Sequence, residues 1–258
     1  MAGGAGPDAS SRSRVRRHIP GTIRPYRPGD REAIREICRR TAYRNRGSRS
    51  IFEDGEVFAD YWTKYYTDLE PESCLVVEED GKVVGYLLGC IDSRRFVRSM
   101  AQTILPRLLL RMFGRLLAFQ YKQRTTRRAI LWFVLHSWRE GPGVPIERYP
   151  AHFHCNLLRE GYGKSYFSRL ATAFVERAEL LGTEALHLQV SEAPDGGPWR
   201  KLGLTSPNAD RLEFFAEKTS SFHRVVLGQE GEMVNRAWGF RTHDARVWLA
   251  WIQEKHRL

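Results

Sequence analysis

Residues 151–190 constrain the fold more than any other part of the chain. Ala151 to Leu158 alternates in character as a strand does, and a turn containing Gly161 and Gly163 follows. From about Ser165 to Leu181 the residues Leu170, Phe174, Val175 and Ala178 share one stripe at helical spacing, with Gly182 as the stop. Ala185 to Val190 then returns as a strand. A strand, crossover helix and strand of this length make a parallel pair. The chain is therefore expected to be α/β.

The elements before this unit agree. Ile23 and Tyr26 lie in a short strand, "PGD" supplies a turn, and Asp30 stands where an N-cap would open a helix carrying Ile34, Ile37 and Cys38 on one face. Phe58 to Thr67 reads as a second helix with an aromatic stripe. "CLVVEEDGKVVGYLLGCID" is a hairpin signal, with strands over 74–78 and 82–91 and Asp80-Gly81 supplying the left-handed turn residues.

Charge and cysteine usage narrow the function classes. The net charge is +11, and the eleven Arg and Lys from Arg94 to Arg139 face no Asp or Glu in that interval, so the basic character belongs to one segment. The four cysteines form no CxxC pair, which argues against a zinc or disulfide framework and points to reduced thiols and a cytoplasmic setting. Ala129 to Trp138 is half the length needed to cross a bilayer. The first twenty residues read as a disordered tail, leaving 21–258 as one domain with a helical insertion over 93–143.

The wording of three segments, "IRPYRPGDREAI", "LEPESCLVVEEDGKVVGYLLGCID" and "AHFHCNLLREGYGKSYFSRL", resembles the GNAT superfamily of N-acetyltransferases. It is most similar to bacterial acetyltransferases related to the C-terminal domain of protein O-GlcNAcase. The resemblance implies a mixed, mostly antiparallel sheet flanked by helices, here with a basic helical insertion between the third and fourth strands. "WGFR" at 238–241 and the apolar run Val247 to Ile252 resemble the family's closing strands. The resemblance also implies acetyl-CoA as acetyl donor and a small-molecule or peptide amine as acceptor.

In that superfamily the backbone of a Q/R-x-x-G-x-G/A turn grips the diphosphate of acetyl-CoA. The matching hexad here is Tyr162, Gly163, Lys164, Ser165, Tyr166 and Phe167, with Tyr162 in place of Gln or Arg and Ser165 and Phe167 in place of the signature glycines. A helix N-terminus still presents free N–H donors to an anion, so the turn either holds a phosphate or only links strand to helix. Cys155, Asn156 and Leu157 on the preceding strand fall where the family lays the cofactor's acyl arm, and an N–H near Leu157 is the expected oxyanion donor. His152, His154 and Asn156 share one face of that strand. His154 is the candidate base; the pair could instead be structural or ligate a metal. For the family's thiolate-protonating Tyr, "NADRLEFFAEK" matched as a helix offers Phe215, and "EMVNRAWGFR" offers Asn235.

The insertion carries paired apolar residues every four positions from Ile104 to Leu117, with Arg107, Arg111 and Arg115 on a separate stripe. A helical hairpin over the substrate side of the sheet is expected. Its basic stripe is a solvated face, a lid for an anionic ligand, a partner surface, or a contact with anionic membrane through 104–117; nucleic acid is not favoured. Two functions compete: N-acetyl transfer to a primary amine, and a GNAT-fold binding or scaffolding domain without turnover.

Overall fold

The computed structural model describes residues 21–194, 209–228 and 232–255. The expected tail over 1–20, and Asn208, lie outside them. In chain order the elements are β1 (Thr22–Pro25), α1 (Arg31–Asn45), α2 (Gly55–Leu69), β2 (Cys74–Glu79) and β3 (Lys82–Cys90). The insertion follows as α3 (Ser93–Ser99), α4 (Leu105–Leu117), α5 (Arg124–Leu135) and α6 (Ser137–Glu140). Then come β4 (His152–Leu157), α7 (Tyr166–Leu180), β5 (Ala185–Glu192), β6 (Glu213–Ser220), β7 (Met233–Arg241) and α8 (Thr242–Lys255).

The strands form an antiparallel sheet ordered β1-β2-β3-β4 and a second ordered β5-β7-β6. At the β2–β3 turn Asp80 has φ +50° and Gly81 φ +73°, the pair of left-handed residues that a two-residue hairpin requires. Side chains then alternate across the sheet. Val77 and Leu87 join Leu170, Phe174, Val175 and the α8 residues Trp248 and Leu249 on one side. Val76, Tyr86 and Leu88 join α1, α2 and the insertion on the other. Both faces of the sheet are thus covered, which is why its central strands are almost continuously apolar.

Four expectations need correction. The run Val247 to Ile252 is helical, within α8, because its buried members Trp248, Leu249 and Ile252 recur at helical spacing and pack on α7 and β7. Residues 213–220 of the supposed last helix are strand β6, paired with β7. Asp30 caps no α-helical N–H: its carboxylate accepts from the Arg27 N–H at 2.8 Å and from Arg24, pinning the turn before α1. The parallel pairing of β4 with β5 is confined to one bridge, Ala151 with Leu186, where the His187 N–H donates to the Ala151 carbonyl at 2.9 Å. Beyond it the two strands part.

Candidate active site

The parting of β4 and β5 leaves polar backbone facing a gap. The Leu158 N–H donates to the Val84 carbonyl at 2.9 Å, and β4 pairs with β3 in regular register with no bulge. In an antiparallel pair such bonds occur at every second residue, so Asn156 and His154 also point their N–H groups to β3. Phe153, Cys155 and Leu157 point theirs the other way, into the gap. The expected oxyanion donor at Leu157 is therefore a strand N–H with no neighbouring strand to satisfy it.

The turn into α7 sits beside this gap. The first α-helical bond runs from the Arg169 N–H to the Ser165 carbonyl, so the N–H groups of Tyr166, Phe167 and Ser168 have no acceptor within the helix. Gly163 has φ +73°, and a Cβ there would meet no atom within 4 Å. The side chains of the hexad are engaged elsewhere. Lys164 pairs with Glu79 at 2.6 Å, which neutralises its charge beside the turn. Tyr166 is buried; its hydroxyl accepts from the Gly21 N–H at 2.7 Å and donates to Glu79 at 3.2 Å. Phe167 packs beside Phe153, and the exposed Tyr162 hydroxyl accepts from Asn45 at 3.0 Å. Ser165, at φ +57°, starts the helix without a side-chain cap. What this turn can offer an anion is its backbone.

The two faces of β4 differ chemically. Phe153, Cys155 and Leu157 pack toward α7, and burial pushes the Cys155 thiol up to about 12. The opposite face carries the histidines. Ser93 donates its one proton to the Pro150 carbonyl at 2.6 Å, so the contact at 2.7 Å between Ser93 and His152 Nδ1 must be donated by the imidazole. His152 Nε2 then accepts from the Tyr66 hydroxyl at 3.1 Å. Both nitrogens are used, the ring lies against His187 at 5.1 Å, and burial pulls its pKa down to about 3. His152 is a structural histidine and cannot share a metal with His154 without losing these bonds.

His154 is placed differently. Asn156 donates one amide proton to the Tyr86 hydroxyl at 2.8 Å and the other to His154 Nε2 at 3.2 Å. His154 Nδ1 is buried with no hydrogen-bond partner, and burial lowers the ring to about 4. An orphaned buried polar atom is what a bound group can satisfy. The ring stacks on Trp62 at 5.3 Å and borders a cavity of about 700 Å³.

The insertion forms the roof of that cavity. Leu108, Leu109 and Met112 of α4 and Ile130 and Phe133 of α5 line it, opposite Phe58, Tyr61 and Trp62 of α2. The residues aligned with the missing acid are accounted for. Phe215 packs on Tyr149 at 4.8 Å, and Asn235 is a clamp that donates to the Glu140 carbonyl at 3.0 Å and accepts from Ser191. Neither is an acid. The aromatic stripe of α2 was legible only as core or cleft lining; its partners in α4 and α5 were not, because the pattern shows an apolar face but not what it faces.

The Arg stripe of α4 is corrected by its contacts. Arg115 pairs with the buried carboxylate of Asp54, and Arg111 approaches Asp60 at 3.9 Å, so two of its three members fasten α4 to α2. Among the described residues no helix is long and apolar enough to cross a membrane.

No protein-family model matches the chain. Among solved structures it is similar to SsHAT, at 29% identity over 87% of this chain and 99% of that one, with a TM-score of 0.60. It also resembles a polyamine N-acetyltransferase of Drosophila melanogaster (12% identity, 86% and 99% covered, TM-score 0.48) and an N-acetyltransferase from Staphylococcus aureus Mu50 (11%, 86% and 98%, 0.48). Several of the solved structures it resembles are named as N-acetyltransferases, and the chain itself has a mixed α/β fold with antiparallel sheets flanked by helices.

Proposed function

We propose that the protein is an acetyl-CoA-dependent N-acetyltransferase acting on a primary amine. The observation that carries this reading is the parting of β4 from β5 beside the α7 N-terminus, with a cavity on the opposite face of the same strand. Acetyl-CoA supplies the acetyl thioester. The backbone from Tyr162 to Phe167, open at Gly163, suits its diphosphate, and Cys155, Asn156 and Leu157 flank its acyl end. The outward N–H of Leu157 would donate to the thioester oxygen as negative charge builds there.

The amine approaches from the cavity side, where His154 is neutral at ordinary pH; with the ring proton on Nδ1, it is Nε2 that takes the proton the amine sheds, once the Asn156 amide swings off it. A ring with a pKa of about 4 is a weak base, and each unit of mismatch costs about 1.4 kcal/mol. The apolar cavity offsets part of this, because it disfavours the ammonium form and so delivers the amine closer to its nucleophilic state. With Phe215 and Asn235 unable to act as acids, the departing thiolate takes its proton from water.

Calorimetric titration with acetyl-CoA tests the reading. We expect micromolar or weaker binding that falls at least tenfold in Gly163→Trp, about 1.4 kcal/mol. Thermal melting of the variant runs alongside, since φ +73° strains any side chain at that position. No binding by the wild-type protein would remove the enzyme reading. His154→Ala should then lower turnover by roughly 10²-fold with cofactor affinity nearly unchanged; equal turnover would leave His154 structural.

A further inference from the structure

The chamber on the acceptor side is more specific than the scaffold requires. Its rings are in continuous contact from the insertion to the candidate base. Phe133 of α5 meets Tyr61 edge-on at 5.4 Å, Tyr61 meets Trp62 at 5.1 Å, and Trp62 stacks on His154 at 5.3 Å. Leu109 and Met112 close the wall above them. Such a surface gains by covering a flat apolar body, through burial and through offset or edge contacts between rings.

The charges point the same way. Among the described residues that line the chamber, Glu140 is the sole carboxylate. It already accepts from the Ser221 N–H at 2.7 Å and from both the Ser221 and Ser220 hydroxyls. A substrate with several ammonium groups would lose its hydration and find one occupied counter-charge, a penalty that ring contacts do not offset. An amine with one nitrogen at the end of an apolar body loses little. At about 700 Å³ the space falls within the range that encloses most of a small organic ligand's surface.

We infer that the insertion selects the acceptor: a primary monoamine on an apolar, ring-bearing body, which lies along Phe133, Tyr61 and Trp62 with its nitrogen toward His154. This rests on the acetyl-transfer reading above for its chemistry but not for its binding. Ala129, a half-buried α5 residue lining the same chamber, is the handle, because it belongs neither to β4 nor to the turn into α7 and a large side chain there takes up chamber space.

Two measurements on the full chain separate the inference from the reading beneath it. The first compares kcat/KM for 2-phenylethylamine, ethylamine and spermidine with acetyl-CoA as donor. 2-Phenylethylamine should exceed ethylamine at least tenfold, with spermidine no better than ethylamine; a preference for spermidine, or parity between the first two, overturns the inference while leaving acetyl transfer intact. The second is fluorescence of the neutral aromatic probe N-phenyl-1-naphthylamine, displaced by 2-phenylethylamine. Ala129→Trp should weaken both at least tenfold, with Ala129→Leu as a milder filler if the first variant does not fold. Displacement that responds to Ala129 while no amine is acetylated keeps the chamber's selectivity and removes the enzyme reading. Probe binding that neither substitution alters overturns the inference.

Discussion

The α7 layer and the insertion cover opposite faces of one sheet and do so by different means. Leu170, Phe174 and Val175 are at most 1% exposed, and Phe174 lies so close to Gly89 that a Cβ on that glycine would approach its ring to 2.3 Å. The insertion buries Leu108, Met112 and Ile130 but leaves Leu110, Leu117 and Phe119 at least three-quarters exposed, and it roofs a cavity of about 700 Å³. One layer is fastened by close packing. The other is fastened at points: Asp54 holds Arg115 and Tyr121, and Glu53 takes the N–H groups of Lys122 and Gln123. A wall that need not open can be packed; a roof over a substrate chamber has to leave space and be held by its edges.

The sharpest contrast comes from deleting one ring on each side. Phe174→Ala should cost about 3–5 kcal/mol of unfolding free energy, since its neighbours cannot collapse into the space. Phe133→Ala, whose ring already borders the cavity, should cost less than about 1.5 kcal/mol. Urea unfolding of both variants measures the difference. Equal losses would mean that the two layers are packed alike, and the comparison would fail.

Next in size is Asp54→Ala. Asp54 accepts from the Val57 N–H at the start of α2 and from the Tyr121 hydroxyl, and its side chain is 2% exposed. Losing the cap and stranding the Arg115 charge should cost about 2–3 kcal/mol. The loss should be local. Amide exchange should quicken across 105–135 while 166–180 stays protected; quickening spread evenly over both segments would show that the insertion is not a separately fastened unit.

Acid should strain the histidine face before it touches the carboxylates. The folded-state pKa values of His152 and His154, about 3 and about 4, lie below the ordinary 6.5, so both groups bind fewer protons folded than unfolded above pH 4. Their contribution is full above pH 6.5 and is lost as the pH falls toward 4. The melting temperature should therefore drop between pH 6.5 and 4, and His154→Gln should flatten that drop. An unchanged slope in the variant would place the acid sensitivity elsewhere.

What could be read from the sequence follows the same division. The hairpin at Asp80-Gly81, the α7 stripe and the alternation along β4 rest on local rules, in which one residue's conformation or one side-chain period decides the outcome, and they are found where expected. The element at 247–252 was misassigned because a short apolar run fits a strand or a helix equally until its neighbours are known. At the site, the shared face of His152, His154 and Asn156 follows from the strand period. The separation of their roles does not: it depends on Ser93 and Tyr66, which lie 59 and 86 residues away in the chain. Likewise Lys164 is a cation beside a phosphate turn until Glu79 is found against it, 85 residues away.

The smallest expected effect is the most direct test of how the roof is held. The Arg stripe of α4 reads in sequence as three equivalent charges, and the structure makes them unequal. Arg115 meets a nearly buried carboxylate, Arg111 reaches Asp60 only at 3.9 Å while 37% exposed, and Arg107 is exposed. Glutamine keeps the helix propensity and removes the charge, so the three substitutions differ only in what each guanidinium touched. Arg115→Gln should cost about 1–2 kcal/mol because it leaves Asp54 with a weaker partner. Arg111→Gln should cost less than about 1 kcal/mol, as a half-exposed, screened pair does. Arg107→Gln should fall within about 0.5 kcal/mol of zero. Raising salt should shrink the Arg111 effect and leave most of the Arg115 effect, since screening acts on the exposed pair. Three equal losses would restore the reading of the stripe as one solvated face and would remove the point-fastened roof from the comparison.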